Sequence, residues 1–89
     1  MEKEIEKEKI KSFLKTLSID LYEVLDIKID IEDMLEGVNE DSVSYKKIEN
    51  WEVFIVKTKY GYFWKSGKMV SDIFESAYKA YKDAKGALL

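Results

Sequence analysis

The 89-residue sequence has no cysteine, no histidine and no proline. Arginine and glutamine are missing too, so every basic side chain is a lysine. Without cysteine there is no disulfide framework and no thiolate site for zinc. Without histidine the commonest general base and the commonest metal ligand are both gone. The serines therefore have no imidazole to activate them. Ser12 with Lys15 and Ser76 with Lys79 have Ser-x-x-Lys spacing, but in charged helical stretches rather than at a nucleophile elbow. The four glycines, Gly37, Gly61, Gly67 and Gly86, are isolated, and no Gly-x-x-x-x-Gly-Lys loop is there to cradle a phosphate. These absences argue against an enzyme. No catalytic residue, metal site or cofactor is assigned.

No apolar run approaches the ~18 residues that a membrane-spanning helix needs. The start, Met1-Glu2-Lys3-Glu4, is charged and leads into no apolar segment of the secretory kind. The expected location is the cytoplasm, with no membrane partner.

What is present is a normal apolar fraction, 46%, under an unusually charged surface: 37% of residues carry charge, against about 25% in a typical domain. Heavy Lys and Glu usage fits either an AT-rich genome or a hyperthermophile and indicates no function. The net charge of −3 hides a partition. Residues 16–45 hold nine acids (Asp20, Glu23, Asp26, Asp30, Glu32, Asp33, Glu36, Glu40 and Asp41) against Lys28 alone. Residues 46–89 hold nine lysines against five acids. Segregated charge of this kind shapes the choice of partner.

The length fits one small domain, residues 1–89, and the pattern along it predicts an α+β fold. Ile10, Phe13, Leu14 and Leu17 recur at helical spacing, which predicts an amphipathic helix over 3–17. Residues 18–36 are mixed. Leu25, Ile27 and Ile29 alternate with charged residues as in a strand, and Ile31, Met34 and Leu35 fit a short helix that Asp30 can cap. The reading is a helical turn, a strand at 25–30 and a short helix at 31–36, with a single helix over 20–36 as the alternative. Residues 37–42 form a polar loop, and Val43, Tyr45 and Ile48 trace a weak strand. Residues 51–58 are the strongest strand, apolar on both faces and hence central. Tyr60-Gly61 and Ser66-Gly67 read as tight turns, giving a three-stranded antiparallel meander that ends near 68–71. A C-terminal helix over 72–86 then packs on the sheet through its alanines, with Asp72 and Glu75 as capping box and Gly86 as stop.

The acidic middle segment is the first candidate surface. Asp26, Asp30 and Asp33 share a face if 20–36 is one helix, but no Asp-x-Asp-x-Asp-Gly loop accompanies them, and a solvated face is the simpler reading. The segment suits a non-enzymatic binding or regulatory protein that engages a macromolecular partner through Asp26, Asp30, Glu32, Asp33, Glu36 and Glu40. Such a patch can hold a basic protein or imitate the phosphates of a nucleic acid. In size and charge the chain is similar to small acidic phage and plasmid proteins, some anti-CRISPR inhibitors among them. That similarity implies a mobile-element inhibitor of a nucleic-acid-binding protein.

A second reading is a nucleic-acid-binding module. Lys57, Lys59, Lys65 and Lys68 are interleaved with Tyr60, Tyr62, Phe63 and Trp64, and a basic sheet face with aromatics can contact phosphates and stack bases. Trp51-Glu52-Val53-Phe54-Ile55, followed by Phe74-Glu75-Ser76-Ala77 and an Ala/Tyr-rich helix, loosely resembles the sheet-plus-helix of plant AP2 domains and phage-integrase arm-type domains over under half the chain. Those families read DNA largely through arginine, and this chain departs from them in having none. Lysine reaches phosphate but lacks the planar fork for guanine. The same aromatics also fit plain cross-strand packing. A third reading is a self-associating structural protein. The oligomeric state stays open.

Overall fold

The computed structural model describes residues 2–24 and 30–89. Among them are a long helix α1 (Glu2–Val24), a single-turn helix α2 (Ile31–Met34), a 3-10 turn (Glu40–Ser42), strands β1 (Val43–Ile48), β2 (Trp51–Thr58), β3 (Gly61–Ser66) and β4 (Met69–Val70), and helix α3 (Ala77–Leu88). The fold is α+β. The sheet is antiparallel, with strands in the order of the sequence.

β2 organises the layers. Val53 and Ile55 point to one face, Phe54 and Val56 to the other, because side chains alternate along a strand. Val53 and Val56 are fully buried on opposite faces. On the first face α3 packs through Ala80 and Ala84 against Val53, Ile55, Ile48 and Trp64. On the second α1 lays Phe13, Leu17 and Leu21 over Val43, Val56 and Phe63, joined by Ile31 and Met34 of α2. Phe13 stacks on Phe54 with ring centroids 4.2 Å apart and planes within 9°. Fully burying side chains of this size is worth about 1.5–3 kcal/mol each.

α1 outruns its expected end at Leu17. Leu21 repeats the i+4 step from Phe13 and Leu17 and is fully buried, so Ser18 and Asp20 sit inside the helix rather than capping a new one. Asp20 instead accepts a hydrogen bond from Thr16 Oγ1 at 3.1 Å. A single helix over 20–36 does not form: Asp30 has φ −71°, ψ 89° and caps a separate helix by accepting from the Asp33 amide at 3.0 Å. The strand expected at 25–30 falls mostly on residues outside those described, and its last residue, Asp30, is this cap.

The meander has four strands, not three. The weak signal over 43–48 is a full strand paired with β2 from Val43↔Val56 to Ile48↔Trp51. Its pattern is faint because α1 covers Val43 and Tyr45 while Ser44 and Lys46, on the opposite face, stay exposed. The third expected strand, near 68–71, is the two-residue β4.

The C-terminal helix starts five residues later than expected. The main chain of Phe74 exchanges hydrogen bonds with Tyr62 (2.8 and 2.6 Å), which holds this segment extended along β3. Ser76, not Asp72, is the cap, accepting from the Lys79 amide at 3.1 Å. Gly86 lies within the helix, which continues to Leu88.

That extended segment depends on Gly61, which has φ +134°. A Cβ there would stand 2.5 Å from the Phe74 carbonyl oxygen and 2.7 Å from Ile73 Cγ2. Gly61→Ala therefore combines an unfavourable backbone conformation with a clash against main chain. It should lose about 2 kcal/mol or more, read as a lower urea midpoint. Glu49 is the opposite case, a non-glycine at φ +53° in the β1–β2 turn. Glu49→Gly should keep or raise the midpoint, because left-handed strain of about 1–2 kcal/mol is relieved.

Candidate functional site

Asp33, Glu36 and Asp41 lie beside Lys57 and Lys59 at the end of β2, and Glu32 lines a separate hollow with Leu14, Leu17 and Ser18 of α1. Ile31 and Met34 are buried against α1, which turns the rest of α2 outward. Asp30, Glu32, Glu36, Glu40 and Asp41 are exposed. Asn39 caps the 3-10 turn, accepting from the Asp41 amide at 2.8 Å while its own amide donates to Ser42 Oγ at 3.2 Å. Glu40 and Asp41 thus stand in an ordered turn rather than a loose loop. Asp26 lies outside the described residues.

Lys59 joins this surface from the β2–β3 turn. Its ammonium lies 2.5 Å from Asp33 Oδ1 and 3.5 Å from Glu36 Oε2. The Tyr60 hydroxyl donates to the other Asp33 oxygen. The two candidate surfaces therefore touch: Lys59, expected on a basic sheet face, is the counter-ion of two of the expected acids. Asp30, Glu32, Glu40 and Asp41 enter no ion pair among the described residues. A shallow depression lined by Glu36, Asn39, Asp41, Lys57 and Lys59 runs along this edge. From the sequence Tyr60 is a turn residue and one of the aromatics beside the lysines, not a partner of Asp33. No local signal ties a residue at the tip of one hairpin to a carboxylate 27 positions earlier.

The other basic and aromatic candidates are dispersed. Trp64 is 3% exposed beneath α3, and its indole Nε1 donates to Asp83 Oδ2 at 2.8 Å. Tyr62 is half-buried on the same face. Lys65 is 6% exposed on the α1 face, where its ammonium donates to the Gly67 carbonyl, lies 3.7 Å from Asp20 and stands over the Phe13 ring. Lys57 and Lys68 are exposed but on separate parts of the surface, one near the end of β2 and one in the β3–β4 turn. Helices cover both faces of the sheet, so these six residues do not form one open basic platform.

Two ion-pair clusters tie helices to the sheet. Lys9 of α1 donates to Glu52 Oε1 at 2.9 Å and to the Tyr45 hydroxyl at 3.2 Å, and these bonds, Glu52 first, raise its pKa. At the α2 surface Lys59 first, then Tyr60, holds the Asp33 carboxyl below its ordinary value of 3.8. Asp33 in turn raises Lys59 and Tyr60 above 10.5 and 10.0.

The signs follow by linkage. Asp33 is lowered on folding, so its stabilising effect is complete above pH 3.8 and fades as pH falls through the lower folded value. Lys59 and Tyr60 are raised, so theirs is complete below pH 10 and fades as pH rises through the higher folded values. Carbon-detected NMR of the Asp33 carboxyl should show its midpoint moving up toward 3.8 in Tyr60→Phe and further in Lys59→Met. An unmoved midpoint in both variants would mean that this cluster does not form in solution.

Comparison with protein-family models, with curated proteins and with solved structures finds no match for this chain.

Proposed function

We propose that this chain is a non-enzymatic binding or regulatory protein that engages a basic macromolecular partner through the acidic surface around α2 and the Glu40–Ser42 turn. The observation that supports this is the outward array of Asp30, Glu32, Glu36, Glu40 and Asp41, held on a buried anchor and a capped turn, with Lys59 as its close counter-ion. Preorganised carboxylates lose little freedom on binding, and a concentrated field of one sign speeds encounter with an opposite one. Asp33 acts chiefly as the internal anchor that ties α2 to the β2–β3 turn. The exposed acids around it are the groups a lysine- or arginine-rich surface would meet.

A nucleic-acid-binding protein is the natural class of partner, because its phosphate-binding groove already has the spacing and sign to accept carboxylates. An inhibitor carried by a phage or plasmid would use the surface in this way, occupying the groove in place of DNA or RNA.

The test uses immobilised wild-type protein and the triple variant Glu32→Lys, Glu40→Lys, Asp41→Lys, exposed to extract of the native host, with captured proteins identified by mass spectrometry. A basic protein held by wild type should be lost from the triple variant. Its capture should weaken as salt is raised, since exposed charges are screened within about 10 Å at 0.1 M. Equal capture by both would overturn the reading. Circular dichroism should show the variant folded, because none of the three side chains is buried.

A further inference from the structure

The opposite face of the sheet has a surface of different character. α3 packs over β2 and β3 and reaches β1 at Ile48, leaving Ser44 and Lys46 of β1 exposed on that face. Between α3 and β1 runs a groove of about 340 Å³ lined by Ser44, Lys46, Ile55, Ala77, Tyr78 and Tyr81. It adjoins a second hollow that shares Tyr78 and Tyr81 and is walled by Lys82 and Lys85. Tyr78 is 68% exposed. The Lys82 and Lys85 ammoniums stand 5.5 Å from the ring centroids of Tyr78 and Tyr81. Trp51 pairs with Ile48 at the far end of β1, faces the same side and is 44% exposed.

We propose that this α3–β1 surface binds single-stranded nucleic acid. Open aromatic rings beside lysines are the two elements such binding needs: bases stack on the rings, and ammoniums meet the phosphates that flank them. The local charge suits it. Lys46, Lys82 and Lys85 have no carboxylate partner among the described residues. Asp83, the one acid of α3, accepts from the buried Trp64 indole, and Glu75, just before the helix, pairs with Lys79 at 2.9 Å. The α2 anchor of the acidic surface, Ile31 and Met34, packs with α1 on the other side of the sheet. Arginine is absent, so there is no bidentate reading of guanine. The binding should be indifferent to sequence. An acidic protein would satisfy the lysines equally but would leave the exposed Tyr78 and Trp51 rings without a stacking partner, which favours the nucleic acid.

Fluorescence anisotropy of labelled dT20 and U20 with the full chain tests this, together with competition by poly-glutamate of matched charge. Either oligonucleotide should saturate below about 100 µM protein at low salt. With three phosphates engaged, affinity should fall on the order of ten- to twentyfold between about 50 and about 200 mM salt. Lys46→Gln, Lys82→Gln and Lys85→Gln combined should abolish binding. Tyr78→Ala, at an exposed ring, should weaken it about tenfold through lost stacking. No anisotropy change at low salt, an unaltered affinity in Tyr78→Ala, or equal competition by poly-glutamate would each overturn the proposal.

Discussion

β2 cannot leave either face in water. Val53 and Ile55 project one way, Phe54 and Val56 the other, and Val53 and Val56 are both fully buried. A four-stranded antiparallel sheet with one wet face would leave half of that apolar surface exposed. The chain resolves this with a helix on each side. α1 supplies a stripe of large residues, Phe13, Leu17 and Leu21, and α3 supplies Ala80 and Ala84, whose small size lets it lie close to the strands. α2 is the remaining piece of the α1-side core, carried there by Ile31 and Met34.

The same constraint sorts the charges. Once helices cover the sheet, its lysines must leave, find a partner or reach water by their stems. Lys59 leaves through the β2–β3 turn and meets the α2 carboxylates. Lys65 stays inside with Asp20 and the Gly67 carbonyl beside its ammonium. The lysines of α3 lie outside because only its alanine stripe and one side of its tyrosines face the sheet. An acidic surface on the α1–α2 side and a basic, aromatic one on the α3 side are consequences of one packing solution. The two proposed binding surfaces use opposite layers of the same sandwich, and neither needs the other for its chemistry.

The elements whose residues carry their own signal were legible. β2 was read as central from its two apolar faces, and α1 from the repeat of Phe13 and Leu17. At each misplaced boundary a local cap loses to a tertiary contact. Ser18 and Asp20 look like caps, yet Leu21 is drawn into the core and the helix runs through them. Asp72 and Glu75 have capping-box spacing, yet Phe74 pairs with Tyr62 and delays the helix to Ser76. At Leu21 a buried side chain, worth about 1.5–3 kcal/mol, outweighs a cap worth about 1 kcal/mol, and at Phe74 main-chain pairing with Tyr62 does so.

The sequence by itself determined the α+β class, the segregation of charge along the chain and the lack of imidazole or thiol chemistry. These are local or compositional properties that need no knowledge of neighbours. Only the tertiary structure decided which charges face a partner and which face each other. Asp33 and Lys59 are 26 residues apart, and their contact depends on how α2 and the β2–β3 turn are carried together by the core. Trp64 and Tyr78 have similar chemistry, yet one lies beneath α3 and the other in solvent. That difference belongs to the packing of layers, which no window of sequence contains.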